Sequence, residues 1–210
     1  MHLLAYTPID VDSAELARRQ RRYDQLAPSG VTVELRNIGP DAPDALDTEL
    51  DIRRSEDVLS AAFHALRDTE ADGFLPDCVL DPCAEEADSF AVPLYGLTRL
   101  TASFHASQGS RIGALARNEA IAAELDRRLG FYGLVAEATV VLGLGVHDIA
   151  DTRAWGRAVS EHARELHCDV AINACSAVDL TDPPVSPWVV DPTATALRLL
   201  GLRSELKVLA

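Results

Sequence analysis

Short runs of consecutive apolar residues alternate along this chain with longer stretches in which apolar residues recur every three or four positions. The first pattern marks buried strands and the second amphipathic helices, and their alternation predicts βα units with a mainly parallel sheet. Strands are expected at "HLLAYT" (2–7), "VTVELRNI" (31–38), "GFLPDCVL" (73–80), "VPLYGL" (92–97), "RIGALA" (111–116), "ATVVLGL" (138–144), "DVAINAC" (169–175) and "SPWVVD" (186–191). Helices are expected at "DSAELARRQRRYDQLA", "RRSEDVLSAAFHALRDTE", "NEAIAAELDRRLGFYG", "DTRAWGRAVSEHARELH" and "TATALRLLGL". Several open on capping residues: Asp12 or Ser13, Asn118, and Asp151 or Thr152. The proline- and acid-rich "GPDAPDALDTELD" (39–51) reads as a surface loop leading into a helix near Asp51, of the kind that often lies beside a ligand in α/β folds.

The pattern also repeats. Asp72 is followed after five residues by Cys78, then by an acidic stretch and "VPLYGLT" (92–98); Asp169 is followed after five residues by Cys175, another acidic stretch and "SPWVVDPT" (186–193). The economical fold is α/β, with two pseudo-symmetric lobes, each a mainly parallel sheet flanked by helices, and an active site in the cleft between them. Residues 1–97 with 198–210 are assigned to a first lobe carrying Cys78, and residues 98–197 to a second carrying Cys175.

Composition narrows the partners. The 210 residues carry a formal charge of −14, which disfavours nucleic acid and anionic membrane surfaces. The one basic block, "RRQRR" (18–22), falls at helical spacing and reads as a solvated helix face. No apolar run is long enough to span a bilayer, and the expectation is a cytoplasmic protein whose four cysteines are free thiols. The single lysine, Lys207, makes Schiff-base chemistry, including that of pyridoxal phosphate, a poor fit.

Ligands of open α/β sheets bind beyond the carboxyl ends of the strands, where this reading sets both cysteines. Two thiols facing each other across a cleft suit one reaction: a thiolate removes a proton from one face of a carbon while a thiol supplies one to the other. Cysteine suits both roles because its reference pKa is about 8.5. Either cysteine alone reads as core packing. The matched frame and the polar neighbours Asp77, Asn173 and Ser176 set the catalytic reading beside it.

With these motifs the chain resembles the aspartate/glutamate/hydantoin racemase superfamily, whose members are cofactor-independent two-thiol racemases and epimerases with two α/β lobes. "CVLDP" (78–82) is similar to the first-cysteine motif of the hydantoin racemase branch, and "ACSAVDL" (174–180) stands in the place of the second. The Gly-Pro loop and the closing "VVDPTATALRLL" (189–200) resemble the branch in order and spacing. The resemblance implies catalytic roles for Cys78 and Cys175, a small-molecule substrate, and no metal or organic cofactor. It implies substrate contacts from Thr7, Pro8 and Asp10 in "YTPIDVD" (6–12), from Val79 and Ser176 beside the two cysteines, and from Arg117.

The departures bear on substrate. "YTPIDVD" replaces an Asn-Pro-Asn-Thr-like sequence, Ala116 and Arg117 stand where threonines are expected, Thr98 and Arg99 replace a Gly-Glu-like pair, and Cys83 replaces a glycine. Arg117 is either a carboxylate partner, favouring an amino-acid-like or acidic substrate, or a solvated arginine at a helix start. Rival chemistries have little support: the cysteine spacings fit no closed zinc site, "GLGVHD" (143–148) is too short for a dinucleotide loop, and there is no Walker sequence or Gly-x-Ser-x-Gly elbow. Decarboxylation or cis–trans isomerisation of small dicarboxylic acids, as in related folds, and non-catalytic binding of a small molecule are the alternatives. Self-association is left open.

Overall fold

The computed structural model describes residues 1–180 and 183–208. Two parallel sheets follow one another along the chain. The first holds β1 (His2–Tyr6), β2 (Thr32–Arg36) and β3 (Gly73–Pro76) in the order β2-β1-β3. The second holds β4 (Ile112–Ala116), β5 (Val140–Val141), β6 (Val170–Asn173) and β7 (Trp188–Val190) in the order β5-β4-β6-β7. The helices are α1 (Ser13–Leu26), α2 (Glu49–Ala65), α3 (Leu97–Ser107), α4 (Glu119–Phe131), α5 (Thr152–His162) and α6 (Pro192–Val208). This is the two-sheet α/β fold expected from the sequence. Among the described residues no helix is long and apolar enough to cross a membrane.

Every residue of β3, β4 and β6 is buried, as parallel strands covered on both faces require. One core cluster joins Leu3, Ala5, Val33 and Leu75 of the first sheet to Tyr23 of α1 and to Leu197 and Leu200 of α6. A second packs Trp155 and Val159 of α5 against Leu115, Ala171 and Val189. A third runs between the sheets, taking in Ile9, Val79 and Leu80 with Ala114, Ile121 and Ile172, so the lobes share apolar surface around the two cysteine turns.

The matched aspartates have the same task in both lobes. Asp72 Oδ2 accepts the backbone N–H of His2 at 2.7 Å, and Asp169 Oδ2 accepts that of Arg111 at 2.9 Å. Each aspartate returns its own N–H to the carbonyl of the same residue. Each therefore fixes the entry of β3 or β6 beside the opening of its neighbour, β1 or β4. Each strand ends two residues before its cysteine.

The caps expected at Asp12, Asn118 and Asp151 form, accepting from Glu15, Ile121, and Arg153 and Ala154 respectively. The helix after the Gly-Pro loop opens on a capping box between Thr48 and Asp51.

Four expectations need correction. "VPLYGL" is not a full strand: Leu94 makes one parallel bridge to Phe74, and Leu97 already opens α3, a helix absent from the sequence reading. "ATVVLGL" contributes only Val140–Val141, ending before Gly143 turns the chain at φ +65°. "GFLPDCVL" is strand only to Pro76, after which the chain turns, with Asp81 and Cys83 at positive φ. "RRQRR" is not a solvated face throughout, because Arg19 and Arg22 are buried and paired with Asp77 and Asp191. Part of the acidic stretch after Cys175 and residues 209 and 210 of the first-lobe assignment lie outside the described residues.

Gly113 in β4 lets the chain before β6 pack closely: a Cβ there would stand 2.8 Å from Cys168 Sγ and 3.1 Å from Leu166 Cδ2. Gly113→Ala is expected to destabilise the protein by ~1–3 kcal/mol through overpacking. In urea unfolding, the double variant Gly113→Ala/Cys168→Ala should lose less than the single one. An equal or larger loss in the double variant would mean that Cys168 is not the obstacle.

Candidate active site

Cys78 and Cys175 each stand in the first turn beyond a buried strand. Both line a cavity of about 60 Å³, several times the ~10–15 Å³ that one water needs. The loops that carry them are bonded directly across the lobes: Ser176 Oγ donates to the Asp77 carbonyl at 3.0 Å. A residue adjacent to one thiol thus holds a residue adjacent to the other.

The thiols also share a local electrostatic frame. The backbone N–H two residues on, that of Leu80 for Cys78 and of Ala177 for Cys175, favours the thiolate in each case. Burial outweighs this and raises both pKa values above the ordinary thiol range. The remaining charges differ. Cys78 faces Asp77 and Asp81, which raise its pKa further, whereas Arg19 and Arg117 act on Cys175 in the opposite sense, with Asp77 opposing them. Cys175 is half-buried and Cys78 only 6 % exposed. Cys175 is accordingly the thiol better supported as an anion.

Arg19 was missed in the sequence because it lies within the basic block. Its guanidinium lines the cavity, takes Glu15 through Nε at 2.7 Å and Asp77 through Nη1 at 3.1 Å. Burial opposes its charge, but Asp77 and Glu15 overcome this and raise its pKa. Tyr23 O–H donates to the other Asp77 oxygen at 2.8 Å. The available signal was periodic: Glu15, Arg19 and Tyr23 follow one another at steps of four on one face of α1.

Arg117 is not a solvated arginine at a helix start. It is 4 % exposed, lines the cavity, and donates to Asp47 Oδ1 at 2.6 Å and to the Leu46 carbonyl at 3.1 Å. Asn118, the cap of α4, also donates to the Leu46 carbonyl. Together they fasten the 39–51 loop of the first lobe to the second, and Ala45 and Leu46 of that loop form part of the cavity wall. The loop thus lies beside the cavity that holds the two thiols.

Of the other contacts named from the sequence, Pro8, Val79 and Ser176 line the cavity. Thr7 and Asp10 do not line it. Both bind Asn37: Thr7 Oγ1 donates to Asn37 Oδ1 at 3.1 Å, and Asp10 Oδ1 accepts from Asn37 Nδ2 at 2.7 Å. They shape the turn after β1 that carries Pro8 and Ile9. Trp155, also unforeseen, lines the cavity with its Nε1 donated to Asn173 at 2.9 Å.

Cys83 lies outside the cavity, on an acidic groove between α2 and α4, with its N–H on Glu56 at 2.6 Å. Its φ of +65° explains why a glycine suits this position. Cys168 is buried at the opposite end of β6 from Cys175. Among the described residues, no group of three or more His, Cys, Asp or Glu side chains is arranged to hold a metal ion.

No protein-family model matches the chain, and no curated protein matches it in sequence. Its fold does match solved structures. Allantoin racemase from Klebsiella pneumoniae superposes with a TM-score of 0.76 at 15 % identity, over 99 % of this chain and 89 % of that one. Maleate isomerase from Pseudomonas putida gives 0.65 at 11 %, over 97 % and 92 %, and unliganded arylmalonate decarboxylase 0.60 at 15 %, over 96 % and 91 %. At such identities the likeness is one of fold, and the fold is the one that the resemblance to the racemase superfamily implied.

The electrostatics set an expected pattern of thiol reactivity. Alkylation by iodoacetamide should reach Cys175 before Cys78, Cys83 or Cys168, and its rate should still rise above pH 9, since burial raises the thiol pKa. Peptide mapping by mass spectrometry checks the order. A rate that levels off below pH 8 would show a thiol activated in the free protein, contrary to this electrostatic account.

Proposed function

We propose that the protein is a cofactor-independent racemase or epimerase in which Cys78 and Cys175 act as opposed acid and base on a carbon next to a carbonyl. The observation that carries the reading is the pair of thiols in matched turns, each with the amide two residues on, lining one cavity and joined by the Ser176–Asp77 bond.

In one direction the Cys175 thiolate removes the α-proton, leaving the electron pair in an enolate, and the Cys78 thiol protonates the opposite face. The products are the inverted carbon, a Cys175 thiol and a Cys78 thiolate. The other enantiomer reacts with the roles exchanged. Bringing the substrate into the cleft displaces water, so a carbonyl dipole and the amides of the two turns bear on the thiolate and enolate in a medium of low dielectric. The chemistry requires neither a metal nor an organic cofactor, and its dependence on reduced thiols suits a cytoplasmic location.

The cavity wall supports a neutral substrate. Both arginines that line it are already engaged by carboxylates of the chain, Arg19 by Asp77 and Glu15 and Arg117 by Asp47. The remaining wall is largely apolar, including Ile9, Leu46, Val79, Ile121, Ile149 and Trp155. A neutral ring of the hydantoin type meets these surfaces without an unpaired charge, whereas an acidic substrate must displace Asp47 from Arg117.

The test is loss of the α-proton in deuterium oxide, followed by proton NMR with panels of hydantoins and amino acids. Cys78→Ser and Cys175→Ser should each abolish racemisation, because serine is too weak an acid to serve as an alkoxide base. Each variant should retain exchange only with the enantiomer whose C–H bond faces the surviving thiol, so the two should show opposite preferences. Exchange of the same enantiomer in both variants, or racemisation near wild type in either, would require a one-thiol decarboxylase or a binding protein instead.

A further inference from the structure

Asp81, three residues beyond Cys78, is fully buried at φ +46°. Its carboxylate accepts three hydrogen bonds from two other elements. Two N–H groups in the first turn of α3 supply two, Thr98 to Oδ1 at 3.0 Å and Arg99 to Oδ2 at 2.7 Å, and Tyr132 O–H at the end of α4 supplies the third at 2.9 Å. Thr98 Oγ1 reaches back to the carbonyl of Val79 at 2.5 Å, so the turn carrying Cys78 is held through backbone and side chain alike. Gly96, the residue before α3, has no side chain to cap the helix, and a Cβ there would overlap the Asp81 carboxylate. The helix is therefore capped by a residue from the cysteine turn.

We propose that Asp81 is a positioning residue for Cys78: seated on the start of α3 and on Tyr132, its carboxylate fixes the turn from which the thiol reaches the cavity. The proposal rests on the two-thiol reading. All three partners are donors, so the ionised carboxylate suits them all, whereas a protonated one sets its own O–H among three donors and weakens its hold on them. The titratable and charged groups around it are Cys78 on its own turn, Arg99 on α3, and Tyr132 and Arg128 on α4. Arg128 is itself held by Glu56 of α2, Glu124 of α4 and Glu85 of the turn at 84–89.

Burial raises the Asp81 pKa to about 6, against the lowering influence of the Arg99 and Thr98 amides, Tyr132 and Arg128. Its folded value lies above its unfolded one, so its stabilising contribution is full below about pH 4 and is lost as pH rises through about 6. Positioning runs the other way, because the ionised form that docks the turn accumulates above pH 6. Stability and catalysis thus respond to this residue with opposite sign.

The test is the pH profile of kcat for α-proton exchange in the wild type, Asp81→Asn and Tyr132→Phe, with Cys78→Ser alongside. Ionisation of the base thiol already makes log kcat fall with unit slope as pH drops, and in the wild type a further acid limb should add to that slope near pH 6, where Asp81 takes up a proton. Tyr132→Phe removes a donor that lowers the pKa and should move that limb to higher pH. Asp81→Asn should abolish the limb and reduce kcat by about tenfold to a hundredfold, the scale of a ~1 Å misplacement, with little change in KM. If the acid limb is the same in Asp81→Asn and Tyr132→Phe as in the wild type while Cys78→Ser is inactive, the role of Asp81 is refuted and the two-thiol reading stands. Activity retained in Cys78→Ser overturns both. Should Asp81→Asn fail to fold, the direction of the shift in Tyr132→Phe decides.

Discussion

The arrangement of the site depends on Asp77. Its N–H donates to Tyr6 at the end of β1, its carbonyl accepts from Ser176 of the other lobe, and its carboxylate takes Arg19 and Tyr23 of α1. All its polar groups are used, as burial demands. Since Cys78 is the next residue, the same bonds fix the direction in which that thiol leaves the sheet. Since Ser176 follows Cys175, they also fix the distance between the two turns. Breaking one partner leaves a buried charge without its counter-ion, which is costlier than losing a surface pair.

This arrangement has an electrostatic consequence. A pair of thiols in an apolar cleft resists ionisation, and two thiolates would repel each other. The chain accommodates one anion by setting Arg19 and Arg117 where they act on Cys175 and two aspartates where they act on Cys78. Under the proposed two-thiol mechanism this inequality would make Cys175 the base and Cys78 the acid at rest, while the matched amides of Leu80 and Ala177 would leave each thiol able to take either role. The loop fastened by Arg117 and Asn118 closes the wall above them.

Much of this was legible locally. The Asp-x5-Cys frame could be seen twice because both of its ends have fixed tasks, the aspartate locking a strand entry and the cysteine leaving the strand exit. Caps such as Asp12 and Asn118 were legible for the same reason, their partners lying three residues away. What was hidden depends on partners distant in the chain. Helix α3 carries Thr98 and Thr101 and lacks a cap of its own, because Asp81 supplies it from seventeen residues earlier. Arg19 and Arg22 read as a solvated basic block because Asp77 and Asp191 join them only after folding. Arg117 was recognised as a candidate, but its engagement by Asp47 and Leu46 was not visible.

In the proposed mechanism Cys78 and Cys175 face one another across a gap that admits one tetrahedral carbon. A carbon in near-attack contact with a sulfur on each face, at ~3–3.5 Å from each, sets the two sulfurs roughly 6 Å apart, a span that 1,3-dibromoacetone, which joins two thiols through three carbons, can bridge. Treatment with this reagent should give an intramolecular three-carbon bridge between Cys78 and Cys175, found by peptide mapping and absent when either is replaced by Ser. Separate adducts on the two thiols, or a bridge that takes Cys83 or Cys168 in place of one of them, would contradict it.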